Sequence, residues 1–329
     1  MSDQSTPKDI EYATGATWPV ADQASVLREM MKRRNEQREA VARVAVEATA
    51  TESPDDVEAD IKSRSGAMTI AVSGGKGGVG KSNVALNLAL ALAQLDRQVV
   101  LIDANSGHGN ADLLCGLNGY WSFEHILTGV RTVEQVLLEG PSGLQILPAA
   151  DQLCGLGSQQ FPPSATEQLR DLELASDVLV IDAGIAANEP IRRMIGSTDC
   201  VLLVTSPEST SVADTYATIK HLANTTTDIR IAVNMTRSAE QGQAIFHRIQ
   251  QTTKSFLDRD ISFAGAIPID RTVVEAVDNR QPFITVAADG AASRCIRQLA
   301  DDISESVSTI HPDTFFERLT EHLPQRSAA

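Results

Sequence analysis

The sequence lacks a recognisable metal or disulfide framework. Its four cysteines, Cys115, Cys154, Cys200 and Cys295, form no CxxC pair, which excludes a zinc ribbon and leaves small buried hydrophobes in a reducing compartment. The six histidines, His108, His125, His221, His247, His311 and His322, show no ligand spacing. No apolar run approaches the ~20 residues that span a bilayer. The opening stretch MSDQSTPKDIEYATG has no basic region followed by an apolar one, as a secretory signal would. Basic charge is also short, with 28 Lys and Arg against 43 Asp and Glu, a net charge of −15 and a pI near 4.8. Non-specific nucleic-acid binding draws on phosphate neutralisation by Lys and Arg, so this balance argues against nucleic acid as a partner, a local basic patch apart. No repeat with a period of 20–50 residues is visible, which excludes a solenoid. These absences predict a globular cytoplasmic protein.

What is present divides into three parts. Residues 1–66 are polar, with a helix-friendly stretch over 22–48, a basic run Lys32-Arg33-Arg34, and a Ser-, Pro- and acid-rich linker over 49–66. Residues 67–310 read as a domain in which short β-branched runs alternate with helical ones. Strands are expected at Thr69–Val72, Val99–Ile102, Leu144–Leu147, Val178–Ile181, Cys200–Val204, Ile229–Val233 and Phe263–Ile267. Helices are expected at Asn83–Leu95, Ser211–Ala223, Ala239–Phe256 and Ala291–Ile310. Fully apolar strands between amphipathic helices predict an α/β fold, a doubly wound and mostly parallel sheet covered on both faces. Residues 311–329 end the chain with a short segment that places Phe315, Phe316, Leu319 and Leu323 on one face.

The sharpest motif is Gly75-Lys76-Gly77-Gly78-Val79-Gly80-Lys81-Ser82, which fits GxxxxGK[ST] between a predicted strand and a predicted helix. Glycines let successive backbone N–H groups turn inward at phosphate oxygens. Lys81 adds a point charge at the β and γ phosphates, and the Ser82 hydroxyl joins a Mg²⁺ shell. A helix starting near Asn83 points its positive dipole end at the same anion. Two apolar runs end in carboxylates, Asp103 and Asp182, at the crevice where such sheets bind ligands. Both are candidate Mg²⁺ ligands, direct or through water. The chemistry points to MgATP or another Mg-nucleotide; no NKxD-type guanine reader is present.

The loop carries a further lysine, Lys76, and KGGVGKS resembles the deviant Walker A loop of the MinD/ParA ATPases. The resemblance implies an ATP-bound homodimer in which Lys76 reaches the partner subunit's phosphates. It continues through Asp103-Ala104-Asn105 and the following Asp112, Gly116 and Leu117, through Ser206-Pro207-Glu208-Ser209-Thr210, and through Asn234 and Gly265-Ala266-Ile267-Pro268-Ile269-Asp270. It implies that Asn234, with Pro268 and Asp270, surrounds adenine. In all it spans about residues 67–290.

Two positions depart from the family pattern. Asn105 stands where the family has an aspartate that orients the attacking water. An amide accepts a hydrogen bond but takes no proton, which predicts slow or absent hydrolysis. Asp182 is followed directly by Ala183-Gly184-Ile185, two residues fewer than the family's loop.

The N-terminal Asp22-Gln23-Ala24-Ser25-Val26-Leu27-Arg28 is similar to the DQAxxLR segment of the FlhG (FleN, YlxH) group of MinD relatives, which control flagellar number and position. That likeness implies that Asp22, Gln23, Ala24, Leu27 and Arg28 engage an SRP-type GTPase of the FlhF kind. The alternative is a helix start capped by Asp22, with Leu27 packed on the body. The C-terminal segment resembles the family's amphipathic membrane helix, but its polar face (Glu317, Arg318, Glu321, His322) has no lysine excess, so docking on the protein's own core competes with peripheral membrane contact. Three functional readings stand: an ATP-dependent switch with slow hydrolysis, a module that holds ATP without turning it over, and a ParA-like partition protein, the last disfavoured by the charge.

Overall fold

Strands that are apolar on both faces need cover on both, and helices supply it here. A computed structural model describes residues 66–105, 109–155, 161–225, 227–306 and 313–321. The expected N-terminal helix, the Asp22–Arg28 segment and the linker up to residue 65 lie outside them, as do the end of the expected Ala291–Ile310 helix and Leu323. The seven expected strands form, as β1 (Met68–Gly74), β2 (Val99–Asp103), β4 (Gln145–Leu147), β5 (Val178–Ile185), β6 (Cys200–Thr205), β7 (Asp228–Thr236) and β8 (Ser262–Pro268). The sequence pattern did not mark the two-residue β3 (Leu138–Glu139). The sheet order is β3-β4-β2-β5-β1-β6-β7-β8. Every pairing is parallel except the antiparallel β3–β4 edge. The chain leaves β1 for β2 on one side and later returns to β6 on the other, so the C-terminal ends of β1, β2 and β5 open a crevice.

The helices, in chain order, are α1 (Lys81–Ala93), α2 (Ala111–Leu114), α3 (Phe123–Leu127), α4 (Val133–Val136), α5 (Pro163–Ala175), α6 (Glu189–Gly196), α7 (Ser209–Leu222), α8 (Ala239–Leu257), α9 (Arg271–Asp278), α10 (Phe283–Val286), α11 (Ala291–Ser306) and α12 (Phe315–Glu321). Two hydrophobic cores result, one on each face of the sheet. Met68, Ile70 and Val72 of β1 point into the core shared with α1 and α11, while Ala71 points into the core lined by Leu169, Met194, Ile219 and Phe246. None of the helices among the described residues is long and apolar enough to cross a membrane.

Two expectations change. The stripe Val84, Leu88, Leu92, Leu95 predicts an α1 with one buried face. Instead α1 is buried nearly all round, because α11 covers the side turned away from the sheet. Leu95 falls past the end of the helix, after the cap at Gln94, and is 43% exposed. Helices α5 and α6, like the shorter α2, α3, α4, α9 and α10, were not expected; α5 and α6 each start with proline in the first turn and carry arginines or acids through the apolar stripe.

The C-terminal apolar face is docked. Phe315, Phe316 and Leu319 are at most 1% exposed and belong to the core under α5. The first N–H groups of α12, those of Phe315 and Phe316, donate to the buried Glu173 carboxylate at 2.7 and 3.3 Å, an anion at a helix N-terminus. Arg318 reaches across to Asp199 (3.2 Å), the Ser197 carbonyl (2.9 Å) and Thr69 Oγ1 (3.3 Å). Burial nevertheless pushes the Glu173 carboxyl up to about 7, more than those N–H donors and Arg318 pull it down.

Candidate nucleotide site

The phosphate loop joins β1 to α1 at the end of the sheet where β2 and β5 also finish. Gly78 and Gly80 adopt the left-handed region, φ 78° and 90°. At Gly80 the requirement is doubled, since a Cβ there would lie 2.4 Å from Asn234 Nδ2. Gly75 and Gly77 complete the curl, Val79 is buried, and Gly80 is the residue before the first turn of α1. Ser82 and Asn83, in that first turn, are half-buried.

Lys81 is 7% exposed, and its Nζ donates to the carbonyl of Lys76 at 2.8 Å, closing the loop on itself. Burial pulls its ammonium below the ordinary range, with Asp182 acting the other way. Asp103 and Asp182 are direct register partners across β2 and β5, each 1% exposed. Asp103 Oδ2 accepts the Ala111 N–H at 2.9 Å and Oδ1 the Asn105 N–H at 3.3 Å. Burial, with the neighbouring Asp182 and Asp112, still raises it to about 6. Asp182 is raised too, by burial, against hydrogen bonds from Ser82 and the Gly184 N–H and the charge of Lys81. Its second oxygen, Oδ2, is buried with no hydrogen-bond partner. Two adjacent buried carboxylates, one with an orphaned oxygen, fit a hard divalent cation held through oxygen. Asn110 Oδ1 is a second orphaned acceptor, in the stretch that wraps Asp103. The sequence offered no signal for Asn110 beyond its place in that stretch.

The structure thus brings together Gly75 to Asn83, Asp103, Asn105 and Asp182. Lys76 turns away from the loop's interior: its Nζ donates to the Glu208 carboxylate and, at 3.0 Å, to Thr210 Oγ1. The expected base-reading residues carry other bonds. Asn234 Nδ2 donates to the Val79 carbonyl (2.9 Å) and Oδ1 accepts the Met235 N–H (2.9 Å), so Asn234 braces the phosphate loop. Asp270 caps α9 through Thr272 (3.0 Å) and accepts the Ala292 N–H (3.2 Å) at the start of α11. Those bonds, the Thr272 hydroxyl first, hold its carboxyl below the usual range. Pro268 closes β8 beside Thr236.

The CobQ/CobB/MinD/ParA nucleotide binding domain matches residues 70–283. The chain belongs to that MinD/ParA family. Within it, the chain is 35% identical over 270 residues to the antiactivator FleN of Pseudomonas aeruginosa, covering 79% of this chain and 96% of that protein. It is 28% identical over 265 residues to the flagellum site-determining protein YlxH of Helicobacter pylori, covering 77% and 90%. Both belong to the FlhG group, so the resemblance read from the motifs holds. Among solved structures, MinD of Pyrococcus horikoshii in complex with Mg-ADP superposes with a TM-score of 0.60 at 19% identity, over 74% of this chain and 98% of that one. That likeness shows the fold: a MinD/ParA nucleotide-binding domain with its phosphate loop at the crevice.

Proposed function

We propose that this MinD/ParA-family chain is a MgATP-dependent molecular switch that forms a homodimer with ATP bound and, in that state, regulates a partner in flagellar assembly or placement. The phosphates sit in the N–H groups of the Gly75–Ser82 loop with Lys81. Ser82, Asp103 and Asp182 hold Mg²⁺, which neutralises phosphate charge when bound.

One observation carries the switch. Lys76 lies outside its own phosphate nest, tied to Glu208 and Thr210 of the same chain. A lysine needed only for its own subunit's ligand would turn inward beside Lys81; this one is poised at the surface for another charge. The FleN and YlxH likeness supports the flagellar setting, and the Asp22–Arg28 segment is proposed to hold an SRP-type GTPase. The adenine reading rests on the family resemblance around Asn234, Pro268 and Asp270.

The test is molar mass by light scattering with MgADP and with MgATP, on wild type and Lys76→Ala. A wild-type mass that doubles with MgATP alone, and a Lys76→Ala mass that does not change while nucleotide still binds, are expected. A mass independent of nucleotide sinks the switch. A second reading, a module that holds ATP without hydrolysing it, is favoured by the surroundings of Asn105.

A further inference from the structure

The two departures of this chain from its family's pattern, the amide at Asn105 and the short segment after Asp182, are far apart in sequence and touch in the fold. Strand β5 runs on to Ile185 beside β1, with Val72 opposite Asp182 and Ser73 opposite Gly184, so Ala183 is the extra residue of a bulge. Gly184 has φ 60°. It is fixed on every side: its N–H donates to Asp182 Oδ1 (3.1 Å), its carbonyl accepts the Ser73 hydroxyl (3.0 Å), and its Cα faces Asn105. A Cβ at 184 would stand 2.2 Å from Asn105 Oδ1 and 2.8 Å from its Cγ. The residues just beyond are held too, since Arg192 of α6 donates to the Ala187 carbonyl at 3.0 Å and to the Ala186 carbonyl at 3.4 Å. No slack remains between Asp182 and α6.

From this contact we infer that Asn105 and Gly184 act as one unit. The side chain at 105 is a positioning group seated on the Gly184 backbone. The short segment makes that seat by carrying a bare glycine against the Asn105 side chain. The side chain at 105 is thereby kept from turning toward the nucleotide, and slow turnover follows from its placement as well as from its being an amide. An aspartate at 105 would meet the same backbone and add a third carboxylate beside Asp103 and Asp182. Restoring the acid alone therefore does not restore water activation; the segment after Asp182 must lengthen with it. This deepens the proposed switch and rests on it for the ligand, whereas the contact itself belongs to the nucleotide-free chain.

Two measurements test it. The first uses urea-unfolding midpoints without nucleotide for Gly184→Ala, Asn105→Ala and the double variant. The loss of midpoint caused by Gly184→Ala is expected to shrink by about half or more in the Asn105→Ala background, because the clashing atoms are gone while the left-handed strain stays. Equal losses in both backgrounds overturn the contact as a unit. The second is single-turnover phosphate release from bound MgATP. Asn105→Asp alone is expected within about threefold of wild type, and Asn105→Asp with a Thr-Gly insertion after Asp182 at least about tenfold faster, the scale of a gained general base. A tenfold rise from Asn105→Asp alone overturns the proposal, as does a lengthened double variant that binds MgATP yet stays at the wild-type rate. Equilibrium dialysis with MgATP separates the two levels: a wild type that binds none removes the switch, and the unfolding cycle then judges the Asn105–Gly184 unit by itself.

Discussion

The two ends of the sheet treat buried charge in opposite ways. Where the strands begin, Glu173 accepts two N–H groups of α12 and Arg318 reaches Asp199, Thr69 and the Ser197 carbonyl. The charges there close on one another and fasten the C-terminal helix. Where the strands end, Asp103 and Asp182 stand side by side, Asp182 keeps an orphaned oxygen, and Lys81 is satisfied by a backbone carbonyl of its own loop. Burying a charge costs free energy unless it is paired. The first end is therefore complete within the chain, whereas the second, in a nucleotide-binding domain, leaves a buried carboxylate oxygen open.

Three substitutions would break or sharpen that contrast. The largest effect is expected at the first end, where Phe315→Ala removes a fully buried ring and should cost about 3–5 kcal/mol of unfolding free energy by denaturant titration, with MgATP affinity of the folded protein unchanged. Lys81→Ala is expected to do the reverse. Nucleotide binding should weaken by about 100-fold or more in a fluorescence titration, while stability without nucleotide holds or rises, because an ammonium that burial disfavours has been removed. If Lys81→Ala destabilised the nucleotide-free chain as much as Phe315→Ala, the contrast between the ends would be wrong. The smallest effect is one of pH. The folded chain raises Glu173 from its ordinary 4.5 to about 7, so it favours the protonated acid, and this contribution is fully present below 4.5 and lost as pH rises through 7. Wild-type stability is expected to drop about 1 kcal/mol more than that of Glu173→Gln between pH 6 and 7.5. Equal slopes would show that the carboxylate is not the group titrating.

Much of the nucleotide end was legible in the sequence, for a local reason. The phosphate loop and the first turn of α1 are contiguous residues whose glycines and lysine act through backbone geometry, and Asp103 and Asp182 announce themselves as carboxylates closing apolar runs. The roles of Asn234 and Asp270 were less legible. Their side chains were expected around a base, and in the fold they also brace the phosphate loop and cap two helices; amides and carboxylates serve caps and ligands equally well, and composition does not distinguish them. Helices α5 and α6 were missed because polar residues interrupt their stripes, and the tertiary cover over β5 overrides weak local preference.

The apolar strands, their alternation with helices and the spacing of the phosphate loop were enough, by themselves, to determine a doubly wound sheet with a nucleotide site at its carboxyl edge, because burial and backbone geometry are dictated by residue type at short range. Tertiary structure decided the rest: which lysine turns inward and which outward, that the C-terminal apolar face meets Glu173 and the core, and that Asn105 rests on Gly184. Those are contacts between segments distant in the chain, and close packing of the folded chain, where a Cβ at Gly184 would meet the Asn105 amide, selects them.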